Sequence, residues 1–354
     1  MNASLLRNWL AVMVMILLTA GSFPAHRPAE EITIAAVGDI MLGTTFPDAG
    51  WLPPDDGATL LAEVAPILRA ADLTFGNLEG PLIDGGTTTK CPPSARNCFA
   101  FRTPTRYGRY LKEAGFDVMS LANNHVMDFG VAGRESTKRV LESLGIAHSG
   151  EVGDIARLTV KGKKIELIAF ATNRTSYNLN DLSAARQVVA ASAANADIVI
   201  VSFHGGAEGA TRQRVPHGTE MFFGENRGNL RAFARTVIDA GADLLLGHGP
   251  HVVRGMEVYK GRLIAYSLGN FATYRAFNLA GPLGLSLILQ VRLAADGTFL
   301  GGKVIPIKQE KPGGPRLDPA NTIIPILQRL SQQDFGDNAV ELSDDGTLAP
   351  PRRR

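Results

Sequence analysis

Polar side chains follow five apolar, strand-like runs of this sequence, and their types are those that bind metal ions. The runs lie at 32–37, 73–75, 118–121, 198–201 and 244–246. The candidate ligands that follow them are Asp39, Glu79, Asn124, His204, His248 and His251. In open α/β sheets, ligands gather at the carboxyl ends of the strands. We therefore expect these side chains, which are far apart in the chain, to meet at one edge of a sheet.

Imidazole, carboxylate and amide groups together suit a divalent cation such as zinc, iron or manganese. The sequence has only two cysteines, so a thiolate-based structural zinc site is excluded. Each residue alone has a simpler interpretation. Asp39 resembles a helix cap, Asn124 and His125 resemble a turn, and His204 resembles a core histidine. Because five strand ends carry such residues, we expect a site for a divalent metal ion, with manganese, iron or zinc favoured.

The elements that must position these residues alternate between strands and helices. Helical patterns lie at 59–70, 106–114, 133–144 and 230–240. Two further segments, 158–170 and 252–267, are predicted to form hairpins that turn at Lys-Gly pairs. This alternation predicts an α/β fold with a partly parallel central sheet, and the hairpins indicate a mixed sheet or two packed sheets. No internal repeat or shift in composition marks a second domain.

The overall composition limits the kinds of molecule that the protein is expected to bind. Hydrophobic residues make up 45% of the 354-residue chain, and the formal net charge is +2. These values are typical of a globular protein with a sizeable core. No strong field attracts nucleic acid, and we expect no nucleic-acid partner.

The N-terminal residues 1–25 resemble a signal peptide. Arg7 precedes an apolar run at 9–20, and small residues follow it. We expect export to the periplasm or the cell exterior, with an uncleaved membrane anchor as the alternative. In an exported protein, Cys91 and Cys98 are expected to form a disulfide, and two free thiols are the alternative. At the other end, we expect 313–354 to hold a C-terminal helix and a tail that is disordered from residue 344.

Several motifs, in order from residue 32 to about 310, resemble the CapA, or poly-γ-glutamate capsule synthesis, family. The matching stretches are 37–43, 76–82, 101–102, 121–130, 204–205, 247–252 and 266–271. That family is similar in fold to calcineurin-like metallophosphatases. The resemblance implies a single domain over 31–312, built as a layered sandwich of mixed β-sheets flanked by helices.

The resemblance also implies one or two divalent metal ions and a role for each candidate ligand. Asp39 would bind a first metal ion, and Glu79 would stand where the superfamily has a bridging carboxylate. Asn124 would bind a second ion, and His125 would be the catalytic imidazole. The remaining ligands would be His204, His248 and His251. The sequence departs from the superfamily pattern in three places: Ile40-Met41 replaces the usual x-His after the first aspartate, two residues separate the last two histidines, and Gly205-Gly206 stands where an aromatic residue is common.

A catalytic interpretation follows from these positions. A bound metal ion would activate water, and His125 would donate a proton to the leaving group. Asp128 would orient His125, unless it is a helix cap. Arg102 and Arg254 are candidates for binding an anionic substrate, with structural ion pairs as the alternative. Asn270 is a third candidate for substrate binding, by shaping the pocket, and a turn is the favoured alternative.

Two functions remain open at this point. The first is a metal-dependent hydrolase that acts on a phosphoester or on an amide of an anionic polymer such as poly-γ-glutamate. The second is a non-catalytic subunit that binds or exports the polymer. Either would work with membrane-bound proteins of capsule synthesis and export.

Overall fold

The computed structural model describes residues 31–91 and 98–352. The strands are β1 (Ile32–Met41), β2 (Leu73–Leu78), β3 (Val118–Ser120), β4 (Ala147–Ser149), β5 (Ala156–Val160), β6 (Lys163–Ala171), β7 (Tyr177–Asn178), β8 (Ile198–His204), β9 (Glu220–Phe222), β10 (Glu225–Gly228), β11 (Leu244–His248), β12 (Met256–Tyr259), β13 (Arg262–Ala265), β14 (Asn270–Thr273), β15 (Leu285–Leu293), β16 (Phe299–Lys308), β17 (Arg316–Leu317), β18 (Glu341–Leu342) and β19 (Thr347–Ala349). The α-helices are α1 (Ala65–Leu68), α2 (Gly108–Ala114), α3 (Gly130–Ser143), α4 (Leu182–Ala193), α5 (Leu230–Asp239) and α6 (Ile323–Phe335).

The strands form two large mixed sheets and one small hairpin, β9–β10. The first sheet has the order β18-β19-β16-β15-β1-β2-β3-β4, with β14 beside β1 and β17 beside β16. The second has the order β12-β13-β11-β8-β6-β5, with β7 beside β6. The parallel centre of the second sheet, β6-β8-β11-β13, has antiparallel neighbours on both sides, whereas that of the first, β1 to β4, has antiparallel β15 beside β1 and ends at the sheet edge with β4. The predicted α/β class with mixed sheets is confirmed.

The central strands are apolar on both faces because each sheet lies between two other layers. In β1, Ile34 and Ala36 pack in a cluster shared by both sheets, whereas Ala35 and Val37 pack against helices α1 to α3. The second sheet packs on its outer side against α4 and α5. Successive strand residues point to opposite faces, so this alternation produces four layers: helices, sheet, sheet, helices. The predicted layered sandwich is therefore present.

The register of the strands brings the polar strand ends together. Asp39 is level with Asn77 of β2 and with Asn270 of β14. In the second sheet, His204 is level with His248. The ends of both parallel centres thus bring acids and imidazoles to one rim of the sandwich.

Two sequence predictions differ from the structure. The helical segment 59–70 is mostly a series of turns, and only α1 within it is helical. The tail predicted to be disordered from residue 344 is ordered through 352, because β19 pairs with β16 and β18. Leu348 of this strand is 2% exposed, so an apolar side chain fixes the tail to the core. The predicted C-terminal helix is α6, and both predicted hairpins are present.

Two observations bear on the export prediction. Cys91 and Cys98 form a disulfide, which confirms the predicted pairing. Within the described ranges, no helix combines the length and the apolar character that crossing a bilayer requires. The predicted signal peptide or anchor at 1–25 lies outside the described residues.

Candidate metal centre

Asp39, Glu79 and His251 form the centre of the polar cluster. One ligand atom from each lies within 4.8 Å of the others. The Nδ1 atom of His251 is 3.1 Å from Oδ2 of Asp39, and its Nε2 atom is 3.7 Å from Oε1 of Glu79. Asn77 donates to Oδ1 of Asp39 over 2.8 Å and so fixes the orientation of that carboxylate. This spacing is suitable for a cation held between two carboxylates and an imidazole.

The second sheet adds two more imidazoles to this cluster. His248 Nδ1 lies 3.4 Å from Oδ1 of Asp39, and His204 Nε2 lies 4.0 Å from Oε1 of Glu79. Asn77 is also 3.4 Å from Nδ1 of His204, so one amide touches ligands from both sheets. Five of the six predicted ligands, all except Asn124, therefore converge at one rim.

Local backbone geometry positions two of these predicted ligands, Asp39 and His251. The residue before Asp39 is Gly38, where a Cβ atom would lie 1.9 Å from the carbonyl oxygen of Gly269. Only glycine allows β1 and β14 to approach this closely. The loop after β11 holds His251 at a φ of 59°, which residues other than glycine rarely adopt. Such strain is concentrated at functional sites, and here it aims the imidazole at Asp39.

The cluster contains buried ligand atoms that no described protein group satisfies. Both carboxylate oxygens of Glu79, both ring nitrogens of His248 and Nε2 of His204 have no hydrogen-bond partner within 31–91 and 98–352. All three side chains are at most 1% exposed. Buried polar atoms in native proteins nearly always have a partner. The donor set of two carboxylates and three imidazoles therefore fits a divalent cation such as manganese, iron or zinc.

The charged groups of the cluster shift one another's pKa values. Burial raises the pKa of Glu79 well above its usual value, and the charge of Asp39 adds to this effect. Burial opposes ionisation of Asp39, but contacts with His248 and His251 outweigh it and lower its pKa. Burial alone would lower the pKa of His251, yet Glu79 and Asp39 raise it to about 10. The two carboxylates thus favour the protonated form of His251, and a bound cation would interact favourably with the same two carboxylates.

Asn124 is not brought into this cluster by the described contacts. Its side chain is exposed, whereas its neighbour Asn123 is fully buried. The amide of Asn123 donates to the carbonyl of Leu78 over 2.9 Å and accepts from the backbone N–H of His125 over 3.1 Å. The buried amide beside the cluster is therefore one residue earlier than predicted, and the role of Asn124 as a ligand stays a prediction.

His125 lies beside the cluster with Asp128 as its partner. Its Nδ1 atom is 2.7 Å from Oδ2 of Asp128, which also accepts from the backbone N–H of Phe101 over 2.7 Å. Helix α3 begins at Gly130 without a side-chain cap, so Asp128 does not act as an N-cap. Lys90, next to the disulfide, donates to Oδ1 of Asp128 and lies 3.2 Å from Nδ1 of His125.

A cavity of about 290 Å³ opens beside His125 and His251. Phe101 stacks on the His125 ring with 4.2 Å between centroids, and Phe277 packs edge-on against His251 at 5.2 Å. The buried Asn270 also lines the cavity, and its Oδ1 is 3.0 Å from Nδ1 of His251. Asn270 therefore both shapes the pocket, as predicted, and positions a ligand.

The two arginines predicted to bind substrate are occupied by structural contacts. Arg254 is fully buried and donates to both oxygens of Glu220 over 2.8 Å. Its remaining contacts are backbone carbonyls. Arg102 donates to Thr45 and to the carbonyl of Gly86. For Arg254 the geometry favours the alternative interpretation, a structural ion pair, whereas Arg102 forms hydrogen bonds but no ion pair with the described residues.

Sequence reasoning missed several residues of the site, namely Asn77, Lys90, Asn123, Glu208 and Arg227. Glu208 lines the cavity and lies 3.8 Å from Nε2 of His251. Asn77 and Asn123 carried the same signal as the predicted ligands, since both follow apolar runs. Glu208, Lys90 and Arg227 lie outside the apolar runs used for the ligand prediction, and no periodic pattern marks them.

These observations define a layered α/β protein with a buried cluster of carboxylates and imidazoles where its two sheets end. Residues 33–275 match the family described as bacterial capsule synthesis protein PGA_cap, and the chain belongs to this family. The resemblance seen in the motifs is thereby confirmed.

Two relatives illustrate the match. The capsule biosynthesis protein CapA of Bacillus anthracis is 28% identical over 297 residues, which cover 78% of this chain and 67% of that protein. The PGA biosynthesis protein CapA of Bacillus subtilis (strain 168) is 29% identical over 287 residues, covering 76% and 70%. Among solved structures, the NAD nucleotidase of Haemophilus influenzae aligns with a TM-score of 0.40 at 13% identity. That alignment covers 82% of this chain and 54% of the nucleotidase, so this chain spans about half of its length.

Proposed function

We propose that this protein is an exported, metal-dependent hydrolase that acts in the synthesis or processing of capsule polymer, poly-γ-glutamate or a related anionic polymer. The observation that carries the proposal is the set of buried, unpartnered carboxylate and imidazole atoms of Glu79, His204 and His248 around Asp39 and His251. A purely structural cluster would leave these atoms without partners at a cost of about 1–3 kcal/mol each.

A divalent cation bound there would supply a Lewis acid and lower the pKa of a water molecule. Asp39, Glu79, His204, His248 and His251 would hold it. Asn77 and Asn270 orient two of these ligands, since each lies within hydrogen-bond distance of one of them. Mutual orientation of this kind is what keeps a metal site ready for its ion.

His125 is the residue suited to move a proton. Its Nδ1 atom is engaged by Asp128, which leaves Nε2 as the atom that can exchange a proton with a group in the cavity. Burial lowers the pKa of His125, and the charge of Lys90 opposes the effect of Asp128. The aromatic face of Phe101 shields one side of the ring from water.

The substrate class rests on the family and on the site together. The two Bacillus relatives are a capsule biosynthesis protein and a PGA biosynthesis protein, and we propose the same class of polymer for this chain. The bond cleaved would be a phosphoester or an amide of the polymer. The partners would be membrane-bound proteins of capsule synthesis and export, consistent with the signal-like residues 1–25.

Metal analysis and turnover assays test this proposal on the full chain. Purified protein should contain manganese, iron or zinc and should cleave an aryl phosphate or a γ-glutamyl peptide. His125→Ala should abolish turnover without loss of metal, whereas His217→Ala, at an exposed histidine outside the cluster, should leave turnover unchanged. Metal-independent polymer binding without turnover would instead support the rival function, a non-catalytic accessory subunit.

A further inference from the structure

Arg227, on β10, is a buried arginine with unsatisfied donors. The residue is 2% exposed. Its Nη1 atom lies 2.9 Å from Oε1 of Glu208 and 3.7 Å from Glu225. Its Nε and Nη2 atoms have no hydrogen-bond partner among the residues that the structure describes. A guanidinium carries five N–H donors, and leaving charged donors buried and unpaired is costly, so these two atoms require a partner.

The position of Arg227 connects it to the metal centre. Glu208, which binds Arg227 through one oxygen, has its other oxygen 3.8 Å from Nε2 of His251. The guanidinium is therefore separated from the ligand cluster by a single carboxylate.

The backbone beside His204 leaves room for the strand that carries Arg227. The carbonyl of Arg227 accepts from the N–H of Gly206 over 2.7 Å. At Gly205, a Cβ atom would lie 2.9 Å from that same carbonyl oxygen. The two glycines after His204, which replace an aromatic residue common in the family, thus let β10 lie against the metal-binding strand end.

A comparison with Arg254 shows what is unusual about the contacts of Arg227. Arg254 is equally buried, yet its three guanidinium nitrogens donate to Glu220 and to two backbone carbonyls. Every guanidinium nitrogen of Arg254 therefore has a partner within the fold. Arg227 differs in having, among the described residues, a single carboxylate partner at hydrogen-bond distance and two nitrogens without a partner.

We propose that Arg227, held by Glu208, is the anion-binding residue of this site and donates through Nε and Nη2 to an oxyanion of the substrate. The planar fork of a guanidinium matches the paired oxygens of a carboxylate or a phosphoryl group. The carboxylates of Asp39, Glu79 and Glu208 would otherwise repel an anionic substrate, and Arg227 supplies positive charge beside them. This inference rests on the proposed function, because it assumes that the site receives an anionic group next to a bound metal ion.

The test measures equilibrium binding, so it does not depend on turnover. Metal-loaded full-length protein is titrated by calorimetry with inorganic phosphate and, separately, with γ-glutamylglutamate. We expect Arg227→Met to weaken binding of the preferred anion about ten- to a hundred-fold, since hydrogen bonds to charged groups are lost. Metal content should stay that of the wild type. The matched control is Arg235→Gln, because Arg235 also pairs with one glutamate and has an unpaired Nε, but lies on α5 against Tyr259.

The outcomes separate this inference from the proposed function. Unchanged anion affinity in Arg227→Met, or wild-type protein that binds neither anion, would overturn the inference. If Arg227→Met does not fold, Arg227→Lys keeps the charge beside Glu208 but removes the fork, and affinity equal to the wild type would also overturn it. Absence of metal in the wild-type protein would refute the proposed function instead, and the same titrations on metal-free protein would still test Arg227. Preference for phosphate or for the dipeptide supports the inference and identifies which oxyanion is bound.

Discussion

Replacing Glu79 by glutamine tests the metal centre directly, because the change removes a charge and keeps the shape. The side chain is fully buried, and neither oxygen has a partner in the described chain. In metal-free protein burial penalises the charged carboxylate and raises its pKa, whereas His251 stabilises the charge, so the two effects of removing that charge oppose each other. We therefore expect Glu79→Gln to change the free energy of unfolding of metal-free protein by no more than about 1 kcal/mol.

The effect should appear when metal is added. A ligand present at a hundred times its Kd stabilises the wild type by about 2.7 kcal/mol, which is roughly 4 °C in Tm for a chain of this size. Loss of residues that merely support ligands lowers metal affinity about 10–100-fold, and loss of a ligand should cost at least the upper value. The same metal concentration then stabilises Glu79→Gln by only about 0.4 kcal/mol, less than 1 °C.

The assay is thermal unfolding with and without manganese, iron or zinc, with metal content measured in parallel. Glu257→Gln is the matched control, because Glu257 is also fully buried but accepts from Tyr266 over 2.7 Å and from Arg235 over 3.1 Å. This control should lose stability equally in both conditions and keep the increment of about 4 °C. A full increment in Glu79→Gln would refute the assignment of Glu79 as a ligand.

Three further predictions concern neighbouring groups. His125→Asn should lower kcat about 10²–10⁴-fold while metal content is unchanged, and a loss of metal instead would contradict its role in proton transfer. Lys90→Met should move the alkaline limb of the pH–rate profile to higher pH, because His125 acts as the proton donor, burial chiefly lowers its pKa and Lys90 lowers it further; an unmoved limb would argue against this contact. Burial lowers the pKa of His148, but Asp154 and Glu142 raise it above 6.5 overall. Its stabilising effect is thus complete below pH 6.5 and lost as pH rises through the folded-state value, and in denaturant titrations His148→Gln should remove that decline.

The strand-end ligands were predictable because one local rule governs them. Parallel strands present their carboxyl ends at one edge, so a polar residue directly after an apolar run points to the site wherever the run lies in the sequence. Asp39, His204 and His248 follow this rule. Asn124 shows its limit, because the turn after β3 buries Asn123 instead, and a one-residue difference within a turn has no signature in the sequence.

The supporting residues were not predictable, since their roles depend on contacts between distant segments. Arg254 and Arg227 are both buried arginines, yet only the fold decides that Glu220 satisfies the first and that the second keeps free donors. The ordered conformation of the C-terminal tail was also not predictable, because it depends on one buried leucine, Leu348, that joins the tail to the first sheet. From charge and composition alone, such a segment is predicted to be a disordered polar tail. Its order depends on long-range packing, which these local properties do not reveal.

The candidate ligands are divided between the two sheets, so neither sheet alone forms the site. Asp39 and Glu79 belong to the first sheet and its loop, whereas His204 and His248 end strands of the second. The sheets are joined mainly by a shared apolar cluster, which is indifferent to small sliding movements. Directional contacts at the rim, such as the 3.1 Å contact between Nδ1 of His251 and Oδ2 of Asp39, join the two sheets there. A cation bound to both sets of ligands would strengthen that contact, so metal binding and the packing of the sandwich stabilise each other.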